Sequence, residues 1–242
     1  MNHYKSIGII GGMGPAATWD LLKKIVEHTD AADDQHHIHT YIDCNVTIPD
    51  RTNAILYDAP SPLPSMIESG KKLEQMGADV LIMSCNTAYY YYDELSEALS
   101  VPMLNMPRET AKYLNYSGFQ KVAVLATDGT VKSGIYTKEL NALDIEAIYP
   151  KEEHQRLLMS LIYDGIKHGI TTKKELPKAE LLNILNDLKE RGAEAFILAC
   201  TELPIAFDLM EIDANTIDPT LILAKSAIRY AGAPLKDTPW YP

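Results

Sequence analysis

No hydrophobic stretch in this chain approaches the ~18 consecutive apolar residues that a membrane-spanning helix requires. Its opening, MNHYKSIGIIGG, shows neither the apolar core nor the small-residue cleavage site of a secretory leader. Both absences point to a cytosolic protein. Cysteine is scarce, with three residues, Cys44, Cys85 and Cys200, in 242. The number is odd and no CxxC pair occurs, so a structural disulfide is not expected in a reducing compartment. A free cysteine is ordinarily a buried, inert small hydrophobe. Positive charge is also in deficit: 22 Lys plus Arg stand against 33 Asp plus Glu, for a net charge of −11. This argues against non-specific binding to nucleic acid or to anionic membranes. An acidic small substrate remains open, because local charge in a pocket decides that. Ligands for a metal are missing too. His36-His37-Ile38-His39 has no companion cluster at zinc spacing and reads as a solvated loop or strand edge.

What is present is an ordinary globular composition, 46% hydrophobic and 23% charged, on a chain long enough to bury a core. Short apolar runs alternate with longer amphipathic stretches. Ser6–Ile10, His39–Asp43, Val80–Met83, Val101–Leu104 and Lys121–Ala126 read as strands. Ala16–Glu27, Pro62–Met76, Tyr90–Leu99, Arg108–Leu114, Ser133–Leu143, Glu152–Lys167 and Lys174–Arg191 read as helices. Strands alternating with helices predict an α/β fold of parallel sheets with helices covering their faces.

The chain also repeats itself. GADVLIMSCNTA at Gly77–Ala88 is nearly rewritten as GAEAFILACTEL at Gly192–Leu203. Both Gly192 minus Gly77 and Cys200 minus Cys85 equal 115. The same offset carries Ile7–Ile10 onto Val122–Leu125, a strand onto a strand, and the Gly11–Gly14 turn onto Ala126–Gly129. Two similar α/β lobes are therefore expected: residues 1–103 plus 214–242, and 104–213. Thr216–Ala231, a strand and then a helix after Pro219, lies beyond the second copy and is expected to pack back on the first lobe. Pro234–Pro242 reads as irregular.

Ligands of open parallel sheets bind beyond the carboxyl ends of the strands, where Cys85 and Cys200 both fall. Each precedes cap-type residues, Asn86-Thr87 or Thr201-Glu202, and then a helical pattern. A helix N-terminus would lower a thiol pKa, and the nearby N–H groups would suit a carboxylate. Two thiols facing each other across a cleft could move a proton from one face of a carbon to the other, one as base and one as acid, without a cofactor. Cys44 has no counterpart at that offset and stays with the inert cysteines. Two other readings exist. Gly12-Met13-Gly14-Pro15-Ala16-Ala17 fits the G-x-G-x-x-A nucleotide fingerprint, yet Asp33 and Asp34 are poorly placed for a ribose. Cys85 and Cys200 could also form a redox pair if the sulfurs meet.

GIIGGMGPAAT (Gly8–Thr18), IPDRT (Ile48–Thr52), MSCNTA (Met83–Ala88), LATDGTVKSGIY (Leu125–Tyr136), YDGIKHG (Tyr163–Gly169) and ACTELP (Ala199–Pro204) span nearly the whole chain. In this order they resemble the PLP-independent aspartate/glutamate racemase superfamily, and within it the aspartate racemase branch. The resemblance implies two pseudo-symmetric lobes with the active site in the cleft between them, no cofactor, a homodimer, and an aspartate substrate with glutamate as the lesser alternative. It implies Cys85 and Cys200 as the acid/base pair. Arg51, taken here as lying in a Pro-flanked loop, and Lys167 match positions that hold the substrate's side-chain carboxylate. Asn86, Thr87, Thr127 and Thr201 match positions that hold the α-carboxylate or line the pocket, and the glycine-rich loop brings Met13 near the substrate. Glu202 is either a first-turn helix acid or a partner for the substrate's amino group. Tyr89, opening the run Tyr89–Tyr92, stands where relatives often carry histidine. Related enzymes of the superfamily isomerise maleate or decarboxylate malonates, also through cysteine. The IPDRT arginine and the aspartate-like opening favour racemisation.

Overall fold

The computed structural model describes residues 4–165, 167 and 177–236. Residues 237–242 of the Pro-rich tail, Lys174 at the expected start of a helix, and most of the IKHG stretch lie outside the described residues. The chain forms two compact units. The first runs to Thr110 and resumes at Thr220, and the second is Ala111–Pro219.

In the first unit, β1 (Ile7–Gly11) lies between β2 (Thr40–Cys44) and β3 (Val80–Met83), all parallel. β1 and β3 are buried along their whole length, as expected of strands covered on both faces, while β2 is a half-exposed edge. Helix α1 (Pro15–His28) starts with proline in its first turn, where the missing N–H costs nothing. It buries Ala17, Thr18, Leu21 and Ile25, one stripe of helical spacing. α2 (Arg51–Leu56) is capped by the Asp50 carboxylate, which accepts from Asn53 N–H at 2.8 Å. The IPDRT segment is thus a helix start rather than a loop, because Asp50 supplies the cap that the flanking proline seemed to deny. α3 (Leu63–Met76), a 3-10 turn (Thr87–Tyr91), α4 (Tyr92–Glu97), α5 (Met106–Tyr116) and the late helix α11 (Pro219–Ala231) complete the elements that begin in this unit.

In the second unit the parallel sheet runs β5 (Glu146–Ile148), β4 (Lys121–Ala126), β6 (Ala195–Ala199), β7 (Thr216–Ile217). Its helices are α6 (Asp128–Ser133), α7 (Ile135–Asn141), α8 (Glu152–Ser160), which widens into a π turn at Leu161–Gly165, α9 (Lys178–Glu190) and α10 (Glu202–Met210). Leu125, Leu158, Leu185, Leu198, Leu203 and Phe207 form its core with their neighbours. Each such side chain contributes about 1.5–3 kcal/mol by leaving water.

The repeat survives into hydrogen-bond register. Ile7 pairs with Val80 and Val122 with Ala195, and every residue number differs by the offset seen in the sequence. The duplicated Gly-Ala-acid phrase has the same job twice. Gly77 (φ 98°) and Gly192 (φ 93°) end α3 and α9 in left-handed backbone. Ala78 and Ala193 N–H then return to Leu73 and Leu188 C=O, both at 3.0 Å. Asp79 accepts from Ser6 N–H at 2.7 Å, and Glu194 from Lys121 N–H at 3.1 Å, so each acid caps the entry of the neighbouring strand.

Three expectations need correction. Val101–Leu104 is no full strand. It makes one parallel bridge, Met103 to Leu81, because Met106 already starts α5. The helix expected at Ser133–Leu143 starts only at Ile135, because Ser133 ends α6 and Gly134 between them turns left-handed (φ 66°). Thr216–Ala231 is divided: β7 pairs with β6 in the second sheet, and only α11 belongs to the first unit. No described helix is long and apolar enough to cross a membrane.

Candidate active site

In the first unit, the chain leaves β3 through Ser84 and reaches Cys85, which is buried at 7% exposure. Beside it, at the end of β1, the glycine loop is stitched together by Thr18. The Thr18 hydroxyl accepts from Gly12 N–H at 2.9 Å and donates to Gly14 C=O at 3.0 Å. Its one proton is thereby used, so the Ser84 hydroxyl, 2.9 Å away, donates to Thr18. Gly12 is at φ +88°, and a Cβ there would lie 2.3 Å from the Asn45 backbone, so only glycine fits. The loop is therefore folded onto its own chain, with the Gly12 amide engaged. Met13 is buried, and its C=O accepts from Arg51 Nη2 at 2.9 Å. Arg51 Nη1 also donates to Pro49 C=O at 3.0 Å and Ile48 C=O at 3.4 Å. Arg51 is thus buried and braces three backbone carbonyls. Asn86 and Thr87 are buried, and Asn86 does not cap the 3-10 turn with its side chain.

In the second unit, β6 ends at Ala199 beside Ala126 of β4, which brings Cys200 and Thr127 to adjacent strand ends. Thr127 caps α6 through Thr130 N–H at 3.3 Å. Gln155 braces the same strand end, donating to Ala126 C=O at 2.9 Å and Asp128 Oδ1 at 2.8 Å. Cys200 is 6% exposed, and its thiol donates to Glu202 Oε2 at 3.0 Å. Thr201 donates to the same oxygen at 3.2 Å, so its hydroxyl serves Glu202 and not the helix terminus. Lys167 Nζ lies 2.8 Å from Glu202 Oε1. Of the residues expected at the site, this unit gathers Cys200, Thr201, Glu202 and Lys167 into one hydrogen-bonded group.

The electrostatics correct the expectation of an acidified thiol at Cys200. Burial and then the Glu202 carboxylate push this thiol well above the ordinary value, and the Lys167 ammonium only partly offsets them. A full negative charge in contact outweighs the partial positive charge of a helix end. For Glu202, burial alone would raise the carboxyl. Lys167, together with hydrogen bonds from Cys200 and Thr201, overcomes this and holds it below the usual carboxylate range. Glu202 is also the first residue of α10, where the helix favours an anion. It is thus a first-turn acid and a partner of the thiol at once.

Cys44 departs from the buried, inert reading: it ends edge strand β2 and is exposed. All three cysteines are free. His36 pairs with Asp33, and no metal-competent cluster occurs among the described residues. Sequence reasoning missed Thr18, Ser84 and Gln155. Ser84 carries the only legible signal, a hydroxyl interrupting an apolar strand just before a cysteine.

Two parallel sheets flanked by helices, each ending in a buried cysteine, define a racemase fold, and the Asp/Glu/hydantoin racemase family description matches residues 10–227. The chain belongs to that family. It is 30% identical to the broad specificity amino-acid racemase RacX of Bacillus subtilis over 92% of this chain and 96% of that one. A solved aspartate racemase from Picrophilus torridus superposes with a TM-score of 0.81 at 33% identity, over 96% of both chains. Glutamate racemase from Francisella tularensis, solved with D-glutamate, shares the fold at a TM-score of 0.69 and 19% identity, over 99% of this chain and 86% of that one.

Proposed function

We propose that the protein is a cofactor-independent amino-acid racemase that interconverts L- and D-aspartate, with Cys85 and Cys200 as the acid/base pair. The observation that carries this reading is the buried Cys200 thiol, still bearing its proton and set against a carboxylate. A second buried cysteine stands at the register-matched position of the other unit. Cys200 is the resting acid. When Cys85 removes the α-proton of one enantiomer, Cys200 delivers its own proton to the opposite face. For the other enantiomer the roles exchange: the Cys200 thiolate left by that turnover removes the α-proton, and Cys85, now protonated, delivers its proton to the opposite face. Thr127, Asn86, Thr87 and Thr201 hold the α-carboxylate in this reading, with Met13 beside it. The aspartate racemase of Picrophilus torridus supports the choice of substrate.

A second reading, racemisation of a wider set of side chains, is favoured by one observation. Both cations expected to grip a side-chain carboxylate are engaged within their own units, Lys167 with Glu202 and Arg51 with three carbonyls. The Bacillus subtilis relative points the same way. Chiral chromatography after incubation with L-aspartate, L-glutamate, L-alanine and maleate, without added PLP, separates the two. Aspartate alone converting supports the first reading, alanine converting at a similar rate supports the second, and consumption of maleate alone rejects both. Cys85→Ser and Cys200→Ser should each abolish interconversion. Retained racemisation in either variant contradicts the two-thiol mechanism.

A further inference from the structure

The two edges of β3 end differently. Toward β1, the ladder closes with Ser84 N–H on Ile10 C=O at 3.3 Å. On the other edge, Leu81 donates to Pro102 C=O at 2.9 Å and accepts from Leu104 N–H at 3.0 Å. Strand geometry turns every second residue to the same edge, so Met83 N–H and C=O face the side where the neighbouring chain has already entered α5. Buried backbone groups left there without partners would cost about 1–3 kcal/mol each.

A tyrosine hydroxyl fills the gap. Tyr89 Oη accepts from Met83 N–H at 3.1 Å and donates to Met83 C=O at 3.3 Å. The Met106 backbone, at the start of α5, hydrogen-bonds the same hydroxyl. One proton given and two bonds accepted exhaust what a phenol can do. The ring is 3% exposed and stacks on Tyr92 with centroids 6.3 Å apart. The chain from Met83 to Tyr89 thus becomes a closed loop, tightened by Tyr89 N–H on Asn86 C=O at 3.0 Å. That loop carries Ser84, Cys85, Asn86 and Thr87.

We propose that Tyr89 is a positioning residue for Cys85: its hydroxyl acts as the terminal rung of β3 and fixes the loop from which the thiol projects. Burial drives the phenol far above its ordinary ionisation range, so the hydroxyl keeps its proton wherever a thiol titrates. The second unit has no equivalent, since the matched position is Pro204 in the first turn of α10. Cys85 as an acid/base group rests on the function proposed above, whereas the tether does not.

The test compares wild type, Tyr89→Phe and Tyr92→Phe as full-length protein. Tyr92→Phe is the control, because it deletes a phenol bond to Met103 C=O (2.9 Å) while keeping the ring beside Tyr89 and the Tyr89 bonds to Met83. Iodoacetamide alkylation is followed residue by residue by mass spectrometry across pH, alongside racemisation. Tyr89→Phe should displace the pH profile of Cys85 alkylation, leave that of Cys200 in place, and lower kcat/KM about tenfold. Tyr92→Phe should lower thermal stability with neither profile moved. An unchanged Cys85 profile in Tyr89→Phe overturns the proposal. If wild type proves inactive on every amino acid tried, the alkylation arm still decides the tether. Should Tyr89→Phe fail to fold, amide exchange in wild type decides it: Met83 must exchange as slowly as Leu81, and exchange at the rate of an open loop overturns the assignment.

Discussion

Glu202 concentrates the chemistry of the second unit in one carboxylate, shared among a thiol, a hydroxyl and an ammonium. Its lowered pKa has a thermodynamic sign. The stabilisation it supplies is present above the unfolded carboxylate value of 4.5 and is lost as pH falls through the lower folded value. Cys200 acts at the other end of the scale. Its folded pKa is raised, so its contribution is present below the unfolded thiol value of 9.0 and is lost as pH rises through the folded value. Thermal melts across pH should therefore decline on both limbs. Glu202→Gln should flatten the acid limb and cost about 1–3 kcal/mol at neutral pH, and Cys200→Ser should flatten the alkaline one. An acid limb unchanged in Glu202→Gln would refute the coupling. The two cysteines and Glu202 were legible as residues because the repeat singled them out. Their ionisation was not, since it depends on a contact between a strand end and Lys167 across an intervening helix. Arg51 was legible as a position, but its bond to Met13 C=O arises only when the glycine loop folds over it.

At the level of elements, patterns with a single cause were readable. Val80–Met83 and Lys121–Ala126 are apolar runs bounded by polar turns, and they form strands over those residues. The break at Gly134 and the truncation at Val101–Leu104 were hidden, because both reflect competition between neighbouring elements and not local preference. The junction of β1, α1 and β3 depends on one hydroxyl. Thr18→Val keeps the shape but takes this partner from the part-buried Gly12 N–H and from the buried Ser84 hydroxyl. Urea denaturation should show a loss of about 1–3 kcal/mol, while Thr18→Ser, which retains the oxygen, should lose less. A larger loss in Thr18→Ser than in Thr18→Val would show that the methyl, not the network, matters.

At the scale of the whole molecule, the duplication was plain in the sequence because one offset aligned strands, glycines and cysteines together. The structure extends it to the register of the ladders and to the helix-ending glycines. Gly77 and Gly192 do the same work in separate units, so Gly77→Ala and Gly192→Ala should cost alike, about 1–2 kcal/mol each for forcing a side chain into left-handed backbone. They share no partners, so the double variant should show the sum. A marked departure from additivity in chemical denaturation would mean that the units do not carry these joints independently.

The matched ladders put Thr87 in one unit where the other has Glu202. Mirror-image molecules are equally stable, so a catalyst that exchanges them gains nothing from being mirror-like itself. Copying a scaffold left each copy free to drift, and only the balance of traffic in the two directions had to be preserved. A carboxylate could be recruited on one side alone because thermodynamics audits the round trip and is blind to how each leg is travelled.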